Sequence, residues 1–168
     1  MGDITKEVAA EARPAGFSGA EYNAVATAAE LEGVNLLSTR FDVQPEALSE
    51  PKDMKLSHGR KVLSCGFDAD RQSVVAIFQY NVQGKLGRKK VLDCTADFAV
   101  MYHTPEGATE SAAIGFCRNV GRFTAYPYFR TLVAQLTWNA GMVLPPLPTI
   151  ASTAHIPPKP KEKQIVEG

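Results

Sequence analysis

Four runs of alternating apolar and polar residues follow one another between Leu37 and Tyr102, and they restrict the fold more than any other feature of this 168-residue chain. Successive side chains of a strand point to opposite faces, so alternation gives one apolar face and one polar face. The first run sets Leu37, Thr39, Phe41 and Val43 against Ser38, Arg40 and Asp42. In the second, Leu63, Cys65 and Phe67 share a face, and Asp68-Ala69-Asp70-Arg71 reads as a turn. The third, Ser73 to Val82, puts Val74, Ala76, Phe78, Tyr80 and Val82 on one side, while Val75 and Ile77 make the other side apolar as well. The fourth sets Leu92, Cys94, Ala96, Phe98, Val100 and Tyr102 against Asp93, Thr95, Asp97 and His103. Four half-buried strands with short links predict an antiparallel sheet with one covered face.

The cover comes from the second half of the chain. After the turn Thr104-Pro105-Glu106-Gly107, residues 108 to 121 are rich in Ala and read as a helix. Pro127 suits the first position of a second helix, where its missing N–H costs nothing. In that helix Phe129, Leu132, Val133 and Leu136 fall at i, i+3, i+4 and i+7, a core-facing stripe, and Asn139-Ala140-Gly141 ends it. Upstream, Glu21 to Glu32 is rich in Ala and Glu and predicts a short helix stopped by Gly33. Pro45 and Pro51 bracket a loop. The expected organisation is an N-terminal extension over residues 1–32, an α+β domain over 33–151, and a proline-rich disordered tail over 152–168.

Composition narrows the class further. With 45% hydrophobic and 21% charged residues the chain reads as one soluble domain, large enough to bury roughly 70% of its unfolded surface without disulfide or metal support. The 18 Lys+Arg balance the 18 Asp+Glu, which argues against a generally basic nucleic-acid binder. The balance is uneven: residues 1–58 carry 5 basic and 10 acidic side chains, and residues 59–122 carry 9 and 6. The 3 cysteines, Cys65, Cys94 and Cys117, are scattered and form no C-x-x-C pair, which fits a reducing compartment. No apolar leader follows Met1, and the expected location is the cytoplasm. From Thr131 to Pro158 there is no charged residue, but Pro145, Pro146, Pro148, Pro157 and Pro158 would leave a lipid-buried backbone without hydrogen bonds, so no membrane insertion is expected.

Candidate chemistry is sparse. Cys94 or Cys117 with His103 or His58 would be the components of a thiol nucleophile and base, but Cys65 and Cys94 occupy apolar strand faces, where cysteine serves as a small hydrophobe. The histidines are far apart and lack metal-ligand spacing. The sequence therefore assigns no catalytic residue, no metal and no cofactor. Gly84-Lys85-Leu86-Gly87 followed by Arg88-Lys89-Lys90 reads as a hairpin turn whose glycines take positive φ, with a solvated basic edge. A second reading makes this hairpin, 84–90, a nucleic-acid-binding or scaffold surface. The remaining signal is apolar: Trp138, Met142, Val143, Leu144, Leu147 and Ile150 crowd behind the helical stripe, as core or as an interaction surface.

The order of these elements and one local phrase resemble the bacterial protein-export chaperone family SecB. The phrase is Ala125-Tyr126-Pro127-Tyr128-Phe129-Arg130, followed by Gly141, Pro145 and Leu147. Phe116-Cys117-Arg118-Asn119 and Phe41-Asp42 with Pro45 add weaker parallels, and the resemblance runs from about Val34 to Ile150. It implies an α+β fold with a four-stranded antiparallel sheet covered on one face by helices, a homotetramer, and ATP-independent holding of unfolded or precursor polypeptides. It implies client contacts at Phe41, Val43, Val75, Ile77, Trp138, Met142, Val143, Leu144 and Leu147, with Phe129, Leu132 and Leu136 serving assembly. The family presents carboxylates to the SecA motor. Asp42 matches one of these, whereas Lys85, Arg88, Lys89 and Lys90 reverse the sign of the hairpin. That departure weakens the expectation of SecA as a partner and brings forward a dedicated chaperone of an antitoxin or another single client.

Overall fold

The computed structural model describes residues 16–49 and 53–149. The proline-rich tail, Ile150 and Pro51 lie outside the described residues. Helix α1 (Gly19–Ala28) leads into strand β1 (Glu30–Val43), and a single helical turn α2 (Glu46–Ser49) starts the connection to β2 (Lys55–Asp68). Strands β3 (Ser73–Leu86) and β4 (Lys89–His103) follow, and helix α3 (Glu110–Asn139) closes the order. All pairings are antiparallel and the sheet order is β1-β4-β3-β2. Three strands are joined by hairpins, and the long β1–β2 connection carries the first strand to the far edge, a Greek-key arrangement. The fold is α+β, with one sheet face covered by α3.

The inner face follows the alternation of the two central strands. Val74, Ala76, Phe78, Tyr80 and Val82 of β3, and Leu92, Cys94, Ala96, Phe98, Val100 and Tyr102 of β4, are all buried. Aromatic rings tie them to α3: Tyr80 stacks on Phe129 at 5.4 Å and Tyr102 meets Phe116 edge-on at 5.1 Å. The phenols are satisfied too, Tyr80 donating to the Arg122 carbonyl at 2.6 Å and Tyr102 pairing with Thr124 Oγ1 at 2.6 Å. Gly121 lets the helix come close, since a Cβ there would stand 2.9 Å from Phe78 Cε2. Helix α1 opens on a capping box between Ser18 and Glu21 and sends Val25 into the same core.

Both edge strands depart from the sequence reading. The first helix ends at Ala28 and not near Gly33, because β1 starts at Glu30 opposite His103 and pairs with β4 along its length. Ladder formation overrides the helix propensity of the Ala/Glu segment. An irregularity between Leu36 and Ser38 puts Leu36, not Leu37, opposite Phe98, and Leu37 is left 54% exposed. A matching irregularity between Val62 and Ser64 does the same for Leu63, so Val62 faces Phe78 in its place. A bulge shifts the inward parity of every later residue by one.

The third correction concerns the helices. Residues 110–139 form one helix of 30 residues with Pro127 inside it, not two helices with Pro127 at a start. Proline removes one backbone bond, at a cost of about 3 kcal/mol. Gly121, Ala125, Phe129, Val133 and Thr137 are buried every fourth residue on both sides of it, and that packing carries the helix through. In the β3–β4 hairpin, Gly87 has φ 58°. No positive φ occurs at Arg88, which matches a two-residue type II′ turn. Gly84 instead sits inside β3, opposite Leu92.

Candidate functional site

The end of α3 determines where the apolar excess goes. Gly141 has φ 76°, and its N–H donates to the Trp138 carbonyl at 2.9 Å while Met142 N–H reaches back to Thr137 at 2.8 Å. This is a Schellman cap. It turns the chain so that Met142 enters a small second core with Ala47, Met54, Val91 and Leu92, against which Phe41, Val43 and Leu144 pack. The chain then runs back along α3 as an extended segment, held where Tyr126 Oη donates to the Pro148 carbonyl at 2.7 Å. Leu147 is buried beneath it.

Two grooves flank α3 as a result. One, of about 350 Å³, lies between the helix and the extended segment, with Val133, Ala134, Thr137, Leu144, Pro145 and Leu147 among its walls. The other, of about 450 Å³, lies between the helix and β1, lined by Leu36, Phe98, Tyr128, Leu132 and Gln135. Pro127 and Thr131 belong to both. Large apolar side chains are exposed here: Tyr128 at 52% and Leu36 at 46% line the second groove, and Trp138 at 72% and Val143 at 76% adjoin Thr137 and Leu144 of the first in the chain. Such surfaces mark binding sites for apolar partners.

The residues expected to contact clients therefore divide three ways. Phe41, Val43, Met142 and Leu144 come together in the second core, and Leu144 and Leu147 line the first groove. Trp138 and Val143 are largely open to solvent. Val75 and Ile77 project from the opposite face of the sheet, because the residues on either side of them are the ones that face α3. Of the expected assembly residues, Phe129 is wholly buried within the chain, whereas Leu132 and Leu136 are partly exposed. Leu36 and Tyr128 were not picked out from the sequence. Leu36 was hidden by the bulge, and Tyr128 sat inside a motif read for its proline.

Beyond Val75 and Ile77, the outer sheet face carries charged groups. Asp93, only 5% exposed, accepts from Lys90 Nζ at 2.7 Å and from Arg40 Nη2 at 3.1 Å through Oδ2, and its Oδ1 is buried with no partner among the described residues. Burial pushes this carboxyl up, but the Lys90 hydrogen bond and the charges of Lys90 and Arg40 outweigh it, leaving it below the ordinary value of 3.8. Lys89 pairs with Glu46, so part of the basic hairpin is engaged within the chain.

The cysteines have the opposite character. Burial raises the Cys117 thiol to about 12 and the Cys94 thiol to about 11, and it raises Cys65 as well. A protonated thiol is a poor nucleophile. Cys94 and His103 also lie nine residues apart on one strand, about 30 Å at the usual rise. Among the described residues no group of three or more His, Cys, Asp or Glu could hold a metal ion, and no helix is long and apolar enough to cross a membrane.

A Greek-key sheet covered by one long helix is an α+β fold that this chain shares with a SecB-like chaperone of known structure. The chain is similar to the SecB-like chaperone of Mycobacterium tuberculosis solved with a ChAD peptide from an antitoxin, with 20% identity, 80% of this chain and 96% of that chain covered, and a TM-score of 0.64. A Streptococcus agalactiae protein of unknown function aligns at 13% identity, covering 74% of this chain and 97% of that one, with a TM-score of 0.35. No family model and no curated protein sequence matches the chain.

Proposed function

We propose that the chain is a SecB-like, ATP-independent holdase that keeps unfolded polypeptide in the grooves along α3. The observation that carries this reading is the pair of grooves meeting at Pro127 and Thr131, with Tyr128 exposed in one and Trp138 and Val143 exposed beside Thr137 and Leu144 of the other in the chain. An unfolded client offers many apolar side chains, each worth about 1.5–3 kcal/mol when fully buried. Several weak contacts on one chain combine by effective concentration, so no cofactor is required.

The client groove is the one walled by Leu144 and Leu147, with Trp138 and Val143 as its outer contacts. The Leu36, Tyr128 and Leu132 groove serves self-association, in a homotetramer. A dedicated client, an antitoxin being one example, is favoured over delivery to SecA. Two features support this: the fold neighbour was solved with an antitoxin peptide, and the Asp42 side of the sheet carries Arg40 and Lys90 in ion pairs.

The test is aggregation of a slow-folding client followed by light scattering. Wild-type protein is expected to suppress scattering, and a Trp138→Asp, Val143→Asp variant to suppress it poorly while keeping its circular dichroism. Unchanged suppression by that variant would remove the groove assignment. No suppression by wild-type protein would remove the holdase reading.

A further inference from the structure

Basic side chains gather on the side of α3 that faces β2. Arg60, Lys61, Val62, Phe78 and Arg122 line a cleft of about 100 Å³ there. Among the described residues no Asp or Glu forms an ion pair with Arg60, Lys61, Arg122 or Arg130. The Nε atoms of Arg122 and Arg130 are both buried with no acceptor among the described residues. A buried charged donor without an acceptor is costly, whereas Arg40, Lys90, Arg71 and Lys89 pair with Asp93, Asp68 and Glu46.

One row of α3 leads from this cleft to the apolar groove. Arg122, Tyr126 and Arg130 recur every fourth residue on one row of α3. Arg60 and Arg122 both act on the Tyr80 phenol, and Arg60 and Arg130 both act on that of Tyr126, so the guanidinium groups share one neighbourhood. Arg130 also lines the groove of Leu144 and Leu147. The cleft has the liquid volume of about three water molecules. That is room for one carboxylate and its methylene.

We propose that Arg60, Lys61, Arg122 and Arg130 bind the carboxylates of acidic residues flanking the apolar segment of a polypeptide client. The preferred client is thus an apolar stretch bordered by Asp or Glu. This rests on the holdase reading and adds to it the chemistry of the client. The planar fork of arginine suits a carboxylate with two parallel hydrogen bonds.

Unstructured peptides with one apolar core and Asp/Glu, Asn/Gln or Lys/Arg flanks test this by fluorescence anisotropy at low and high salt. Wild-type protein is expected to bind the acidic peptide about tenfold tighter than the neutral one at low salt, with the preference shrinking as salt rises. The Arg60→Gln, Lys61→Gln variant changes two exposed side chains, so it keeps the fold. It is expected to lose most of the preference while holding the neutral peptide as before, and Arg122→Gln is expected to act in the same direction. Equal affinity of wild-type protein for acidic and neutral peptides overturns the proposal and leaves the holdase reading standing. A preference that survives in the exposed double variant overturns it too. Failure to bind any of the peptides overturns both. Competition by inorganic phosphate at concentrations where acetate does not compete would assign the cleft to phosphate groups and overturn the carboxylate assignment.

Discussion

The Tyr126 hydroxyl donates to the Pro148 carbonyl at 2.7 Å, so one side chain of α3 fixes the position of the segment that walls the groove. A net hydrogen bond of this kind is worth about 1 kcal/mol. Tyr126→Phe keeps the ring, which is 5% exposed and packed against Tyr80 and Phe129. The expected outcome is a loss of about 1 kcal/mol in urea unfolding and faster amide exchange in residues 142–149. Unchanged exchange in that segment would show that the hydrogen bond does not hold it.

Gly141 sets the direction of the same segment from its other end. At φ 76° any residue with a Cβ is strained, at about 1–2 kcal/mol. Gly141→Ala is expected to destabilise the chain by about that amount and to loosen Met142, which depends on the cap to reach Met54 and Leu92. Methyl NMR of Met142 reads the second effect directly. An unshifted Met142 methyl with wild-type stability would show that the turn does not need a left-handed residue.

These two residues mark how much of the molecule the sequence made legible. Regular alternation in β3 and β4 gave the inner face residue by residue, because central strands with one covered face have a single register that works. Edge strands carry bulges, and a bulge has no composition, so Leu36 and Val62 took the places expected of Leu37 and Leu63. Pro127 misled for a related reason. Its local rule is to break a helix, and the rule yields when Phe129 and Val133 are buried on the far side. The cleft at Arg60 and Arg122 was not legible at all, since these two residues are 62 positions apart in a chain of zero formal charge and only the β2–α3 packing unites them.

Acid sensitivity should centre on Asp93. Its carboxyl is held below the ordinary value by Lys90 and Arg40 against the opposing effect of burial. The unfolded chain then binds the proton more readily, so the contribution is complete above about pH 4 and is lost as pH falls through the lower folded-state value. Urea midpoints measured between about pH 2 and 6 should fall less steeply at the acid end in Asp93→Asn than in wild type. Parallel curves would mean that other carboxylates govern acid unfolding.

The last prediction concerns the groove on the β1 side. Leu36 and Tyr128 come from different elements, yet both line it, at 46% and 52% exposure, and β1 is an edge strand whose outer backbone groups have no partner among the described residues. A long edge strand with apolar side chains invites pairing with another chain. Covering Leu36 and Tyr128 in a second copy would contribute about 1.5–3 kcal/mol per fully buried side chain, a sum large enough to decide assembly. A Leu36→Arg, Tyr128→Arg variant replaces that gain with a desolvation penalty and repulsion across a symmetric contact, since the same charges meet their own copies. The dissociation constant should rise at least about tenfold, with native mass spectrometry showing wild-type oligomers reduced to smaller species. The Val143→Asp change on the other groove should leave the mass unchanged. An oligomer that survives the arginine pair, or that Val143→Asp breaks instead, would exchange the roles given to the two grooves.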